Sequence, residues 1–200
     1  MFKDMTIEEF VKTLASDAPT PGGGTAAAIM GAMGTALLKM TIGITIKKVD
    51  DDMLKDIGNS LEKAYEEFLM LADKDAEAFD EYMKARALPK DTDEEKAKRK
   101  EAIKKARIKS IEVPMQTLER SLEILQAFDM VKDNISKYVM SDVIGGVSSL
   151  RSAAEIAYAN VKINVGKKET YKSYLENANK LLEDTKKLAD TIITFAMDNM

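Results

Sequence analysis

Apolar positions recur along this chain at three- and four-residue spacing, and strand-like alternation is nowhere sustained, so the pattern predicts helices throughout. Thr6-Ile7-Glu8-Glu9 reads as a capping box, with Met5 and Phe10 placed to staple it, and opens a short helix to about Ala15. Ala18-Pro19-Thr20-Pro21 and Gly22-Gly23-Gly24 interrupt the pattern. A second helix is expected from about Thr25 to Lys48, and a third from about Asp52 to Ala87, stopping near Pro89. Thr92-Asp93-Glu94-Glu95 forms a second capping box and starts a fourth helix, which Pro114 is expected to break or kink before it continues to about Phe128. A less regular stretch reaches Met140. Ser141-Asp142 then caps a helix to about Val165, Gly166 ends it, and a last helix covers roughly Glu169 to Asp198. The fold class is all-α: one domain over residues 1–200, a bundle of about six to eight helices.

The second helix departs from the amphipathic rule. From Thr25 to Ile46 only Lys39 is charged, long enough to span a bilayer, but flanking positive residues and an aromatic belt are missing. Its small residues favour another reading. Ala27, Gly31 and Thr35 repeat every four positions beside Ala28, Ala32 and Ala36, the surface of a buried central helix approached closely from several sides. The preceding Gly22–Gly24 is either a tight entry into that crowded helix or an anion site built from bare amides at a helix N-terminus. A P-loop is excluded, because no Gly-Lys-Ser/Thr follows.

Two further stretches carry candidate chemistry. On the third helix Leu61, Tyr65, Phe68, Ala72, Asp75, Phe79 and Tyr82 step by four and three, and so form one inward seam with a carboxylate in it. Burial raises the pKa of such a group toward the range useful for proton transfer; a lysine-paired or helix-capping aspartate is the alternative. Asp73, Glu77 and Asp80 fall elsewhere on the wheel and are expected in solvent. In the fifth helix Val143, Val147, Leu150, Ala154, Ala157 and Val161 make an apolar seam, while Gly146, Ser149, Ala153, Ile156 and Asn160, with Asn164 beyond, make a second face. Asp142 is either a favourable charge at the start of this helix or a reactive group.

Composition narrows the chemistry. Lys plus Arg number 30 against 34 Asp plus Glu, a net charge of −4 with no basic run interleaved with aromatics, which argues against nucleic acid as a partner. Cysteine and histidine are both absent. There is accordingly no disulfide framework, thiolate metal site or imidazole base, and acid–base work falls to Asp, Glu, Lys or Tyr. No metal and no membrane are expected. Lys3, Asp4, Glu8 and Glu9 give the first ten residues no secretory character, and a reducing cytoplasm is the expected location.

Several of these stretches together resemble a known family. "TPGGGTAAAIMGAMGTAL", "ADKDAEAF" running to "LPKDTDEEKAKR", "VPMQTLE", "SD" at 141–142 and "NVKIN" at 160–164 are similar, in order and over nearly the whole chain, to the cyclodeaminase domain of formiminotransferase-cyclodeaminase and to its stand-alone methenyltetrahydrofolate cyclohydrolase relatives. The resemblance implies a dimeric all-helical domain acting on one-carbon units carried by tetrahydrofolate, with no permanently bound cofactor. It implies Asp75 and Asp142 as catalytic carboxylates. The substrate contacts it implies are Gly22, Gly23, Gly24, Asn160 and Asn164, and Lys47 or Lys48 are placed to receive the folate glutamate. The chain departs from the family pattern at Ile46-Lys47-Lys48-Val49 and just before Ser141, where Ser136 and Tyr138 stand near the position of a common asparagine. A folate-binding or helical interaction protein without catalysis is the competing expectation.

Overall fold

The computed structural model describes residues 1–200 and contains six α-helices and no strand. They are α1 (Ile7–Leu14), α2 (Gly23–Thr45), α3 (Asp52–Ala87), α4 (Asp93–Asp129), α5 (Met140–Val165) and α6 (Lys172–Asp198). Short 3-10 turns cover Phe2–Asp4, Lys132–Asn134, Lys137–Val139 and Glu169–Tyr171. Both capping boxes form: Thr6 with Glu9 and Thr92 with Glu95 each exchange side-chain and backbone hydrogen bonds. The Phe10 ring meets Phe2 edge-on at 6.3 Å between centroids, and Met5 is exposed.

α2 is the central helix, packed chiefly against α5 and α3. A Cβ added at Gly31 would lie 2.6 Å from the Phe68 ring of α3, and one at Gly34 would lie 2.7 Å from the Gly146 carbonyl of α5. Helix axes therefore approach more closely here than larger residues allow. Ala27, Ala28, Gly31, Ala32, Gly34 and Thr35 are all buried, so the small-residue stretch serves packing on two sides. α2 is long and apolar enough to cross a membrane, but half of that stretch is buried among the other helices. One cluster of 25 buried residues, including Leu38, Phe68, Leu125, Phe128 and Val147, joins these helices; a second of nine ties α4, α5 and α6 around Ile111, Leu118 and Val161.

Three expectations need correction. α4 runs unbroken through Pro114, so of the expected break or kink the break does not occur. A proline there cannot donate to the carbonyl four residues earlier, that of Ser110. The Asn164 side-chain amide of α5 donates to that oxygen at 2.7 Å and fills the gap. α5 begins one residue before Ser141, with Val139 at the cap position and no side-chain cap, so Asp142 lies within the first turn rather than capping it. Asp73 is 5% exposed, not solvated. The Phe2–Asp4 turn folds over α3 and donates the Phe2 backbone N–H to Asp73 Oδ1 at 2.6 Å.

Candidate functional site

The α3 seam expected from the sequence is buried at Leu61, Phe68 and Ala72, then opens: Asp75 and Tyr82 are half-buried and Phe79 is exposed. At that point α3 stops being core and becomes the wall of a cleft of about 270 Å³. The first turn of α2 forms the floor with Gly22, Gly23 and Gly24, α4 contributes Ser110, and α5 contributes Asn160 and Asn164. Pro19 and Thr20 close the entrance, and the Thr20–Pro21 bond is cis. Four stretches of the chain, spread between Pro19 and Asn164, thus meet where α2 begins.

Asp75 is the only carboxylate lining this cleft. Burial pushes its pKa above the usual aspartate range, while the Thr25 hydroxyl, which donates to Oδ2 at 3.0 Å, and the Thr25 amide pull it partly back. A protonated fraction thus persists to higher pH than in an exposed aspartate. The same group can accept a proton when ionised and donate one when neutral. The α2 N-terminus has no side-chain cap, so its free amides present partial positive charge beside this carboxylate.

Gly22 to Gly24 resolve differently from one another. None has positive φ, so left-handed backbone does not explain the glycines. A Cβ at Gly24 would overlap the Asp75 carboxylate, at 2.6 Å from its Cγ. At Gly23 it would make ordinary contacts of 3.6 Å with Asn160 Nδ2 and Ile156, and at Gly22 it would meet nothing within 4 Å. Gly24 is therefore required by the carboxylate, and Gly22 and Gly23 leave the cleft floor bare.

Both asparagines reach the cleft with half of each amide already engaged. Asn160 Nδ2 donates to the Ile156 carbonyl of its own helix at 2.9 Å, and Asn164 Nδ2 to Ser110 as described. One N–H of each Nδ2 is used in holding the wall, which leaves the second N–H and the Oδ1 acceptor for a ligand. Sequence reasoning missed the group that braces this wall. Arg107 donates to the Tyr82 hydroxyl at 2.9 Å and to the Asn164 backbone carbonyl at 3.2 Å, so α4 ties α3 to α5. Its guanidinium lies 5.6 Å from the Tyr82 ring centre, and its buried Nε has no partner. Arg107 sits one turn before Ser110, inside a basic stretch whose repetition hides it among surface lysines.

Asp142, Lys47 and Lys48 stand elsewhere. Asp142 is 18 positions before Asn160 on the same straight helix, about 27 Å away at 1.5 Å per residue. Lys47 and Lys48 follow the far end of α2, about 36 Å from Gly23 on the same rise. There Lys48 Nζ lies 5.0 Å from the ring centre of Tyr138, which is otherwise exposed. Within one chain, Asp75 and Asp142 cannot act on the same atom. A larger groove of about 900 Å³ at the start of α4 is lined by Lys90, Lys96, Arg99, Lys100, Lys104 and Lys168. Its sole carboxylate, Glu101, is exposed, whereas Asp75 is half-buried, so the Asp75 cleft is the better candidate for acid–base chemistry.

The fold and the cleft define a class: a histidine-free helical bundle that sets one desolvated carboxylate against the amide end of its central helix. The sequence profile described as formiminotransferase-cyclodeaminase matches residues 6–182, and the chain belongs to that family. It is 44% identical over 168 residues to the methenyltetrahydrofolate cyclohydrolase of Methylorubrum extorquens, covering 78% of this chain and 79% of that protein. It is 29% identical over 160 residues to the formimidoyltransferase-cyclodeaminase of Gallus gallus, covering 78% of this chain but 30% of that longer protein. The crystal structure of formiminotetrahydrofolate cyclodeaminase from Thermotoga maritima shares the fold, with a TM-score of 0.81, 24% identity and coverage of 100% of this chain and 97% of that one.

Proposed function

We propose that this protein is a tetrahydrofolate one-carbon enzyme that opens or closes the 5,10-methenyl bridge, with hydrolysis of 5,10-methenyltetrahydrofolate as its principal reaction. The observation that carries this reading is Asp75, a carboxylate with a raised pKa in a cleft of about 270 Å³ beside the bare first turn of α2. The identity with a cyclohydrolase over four-fifths of its length supports it.

In hydrolysis, water adds to the cationic methenyl carbon and its proton passes to ionised Asp75. The resulting tetrahedral carbon is held by N5, N10 and a hydroxyl. Asp75 then returns the proton to one ring nitrogen as its C–N bond breaks, leaving a formyl group on the other. The charge balances: a cation and water give a neutral formyl folate and one proton to solvent. Ionised Asp75 also stabilises the cationic amidine before attack. Asn160 and Asn164 present acceptors to donor groups on the pterin edge.

Cyclodeamination is the second reading. N10 attacks the formimino carbon of 5-formiminotetrahydrofolate, a proton moves to the formimino nitrogen and ammonia leaves. The same carboxylate serves both, because each passes through a carbon bonded to two folate nitrogens and a third heteroatom. The chain spans only the part of the vertebrate relatives that it matches, about 30% of their length. A spectral assay with both folates, corrected for spontaneous rates, tests the proposal. The expected result is a higher kcat/KM for methenyl opening; a ratio well below one reverses the order, and turnover of neither removes the enzymatic reading.

A further inference from the structure

Arg107 carries more charge than a brace between helices needs. Its guanidinium is half-buried, forms no ion pair, and leaves the buried Nε without a partner. A charge withdrawn from water in this way destabilises a fold unless it is put to use. Both of its contacts go to neutral oxygens, the Tyr82 hydroxyl at 2.9 Å and the Asn164 backbone carbonyl at 3.2 Å. A neutral amide side chain supplies such donors without the charge. Arg107 does not line the cleft, and no other cation lines it. Tyr82 does line it, so the phenol stands between the guanidinium and whatever the cleft binds.

The direction of that hydrogen bond decides what Tyr82 can do. A guanidinium only donates, so the phenol oxygen accepts and its own proton must point elsewhere. No acceptor in the chain receives that proton. The hydroxyl is therefore a donor polarised by a cation on one side and unpartnered on the other, at the wall of a cleft. Asp75 lies two turns earlier on α3, so the two side chains share one face of the helix, about 10 Å apart along its axis at 1.5 Å per residue. Helical side chains lean toward the N-terminus, which narrows the gap from the Tyr82 side. One end of the cleft thus carries a carboxylate, and the other a hydroxyl backed by positive charge.

We propose that Tyr82 is a second catalytic residue, with Arg107 as its positioning residue, and that together they favour hydrolysis over cyclodeamination. In hydrolysis the tetrahedral carbon bears a hydroxyl. The hydroxyl proton leaves to solvent and the oxygen takes up negative charge. The C–N bond then breaks as Asp75 returns its proton to the departing ring nitrogen, which keeps the bonding electron pair. Tyr82 donates a hydrogen bond to the oxygen while that charge is present, and transfers no proton itself. Arg107 holds the phenol in place and strengthens it as a donor. In cyclodeamination the third heteroatom is nitrogen, which is protonated and leaves as neutral ammonia, so no oxygen charge forms for Tyr82 to meet. This role for Tyr82 rests on the folate reading above.

Tyr82→Phe keeps the ring and removes only the hydroxyl, so the packing of α3 is retained. Its kcat for methenyl hydrolysis should fall by about 10²–10³, the loss usual for one donor to a developing oxyanion, with KM nearly unchanged. Cyclodeamination by the same preparation should be nearly unaffected. Arg107→Gln, which keeps donors but loses the charge, should also lower hydrolysis, and Arg107→Lys should retain more of it. Added to Tyr82→Phe, Arg107→Gln should lower the ratio of hydrolysis to cyclodeamination no further, because it acts on that ratio through the phenol. Equal losses in both reactions, a higher KM at constant kcat, or a further fall of the ratio in the double variant overturns the assignment. Where wild type shows no cyclodeamination, the kcat loss at constant KM and the retention by lysine decide it. Wild type inactive on both folates defeats the folate reading itself, whereas active wild type matched by Tyr82→Phe defeats the role of Tyr82 alone.

Discussion

The first turn of α2 and its middle are built from the same small residues but serve different purposes. At Gly31 and Gly34 the missing side chain is replaced by the Phe68 ring and by the Gly146 backbone, neutral groups of the core. At Gly24 it is replaced by the Asp75 carboxylate, and at Gly22 by open space. A close approach filled by a neutral core group stabilises the fold. A close approach filled by a charged group beside an open cleft keeps that group desolvated and available. The difference lies in the neighbour, not in the glycine, and substitutions at matched positions measure it.

The largest effect is expected at Asp75. Asp75→Asn keeps the shape but removes the proton carrier, so kcat should fall by about 10²–10⁴, the usual contribution of a positioned acid or base. The thermal midpoint should hold or rise, because a charge disfavoured by burial has gone. Near-full activity in this variant would make Asp75 a partner of Thr25 and nothing more.

Next in size is Gly34→Ala. The added methyl meets a backbone carbonyl of α5, which cannot rotate away, and overpacking of this kind costs about 1–3 kcal/mol. Denaturant unfolding should show the loss, with the specific activity of the folded fraction retained. Gly24→Ala should divide the other way. Its methyl displaces a side chain that can turn, so activity should fall at least about tenfold, as even 1.4 kcal/mol of lost positioning produces, with a smaller fall in stability than at Gly34. Equal profiles for the two variants would erase the distinction between the regions.

The pH dependence is a finer probe. If Asp75 acts ionised, the acid limb of the kcat/KM profile should lie above the ordinary aspartate range, because burial raises its pKa. Thr25→Val removes a hydrogen bond that lowers it, and should move the limb further up. Stability should carry the same signature with its own sign. A carboxyl with a folded pKa above its unfolded one binds more protons when folded. Its contribution is therefore fully present below the unfolded value and is lost as pH rises through the folded one. Asp75→Asn should flatten that decline, and an acid limb at the ordinary aspartate position would show that the cleft does not desolvate the group.

Much of this was legible before the structure. The helix boundaries, both capping boxes and the placement of Asp75, Asn160 and Asn164 follow from periodicity, capping chemistry and motif resemblance, and the cleft gathers these three with the glycines. What was not legible depends on contacts between distant segments. Pro114 looked like a break or a kink, and that the helix stays unbroken was not legible because the amide that takes the Ser110 carbonyl comes from α5, 54 residues away. Asp73 looked solvated, because the turn that covers it comes from the N-terminus, 71 residues away. That Asp142 and Lys47 stand away from the cleft within one chain was not legible, because motif order says nothing about which end of a long helix a residue occupies. Arg107 carried no signal at all: it is one cation among many on α4, and only its partners Tyr82 and Asn164 distinguish it.

The smallest expected effect makes the sharpest comparison, between Gly23→Ala and Gly43→Ala. The two glycines lie near opposite ends of α2. A methyl at Gly23 makes only ordinary contacts, and one at Gly43 meets nothing within 4 Å, so neither is opposed sterically in the single chain. Alanine in place of a helical glycine gains up to about 1 kcal/mol, less in the first turn than further along, so both variants should be slightly stabilised and Gly43→Ala the more so. Function should separate them. The Gly23 methyl projects onto the cleft floor beside Asn160 Nδ2, where it takes space from a flat ligand and covers an amide at the helix end. KM for the folate should rise severalfold with kcat nearly unchanged, because the floor contacts the bound substrate equally before and during the reaction. Gly43→Ala should leave both constants alone. If Gly23→Ala also leaves KM unchanged, the bare first turn is an entry into a crowded helix and not a ligand surface, and the contrast between the two ends of α2 narrows to Gly24 and Asp75.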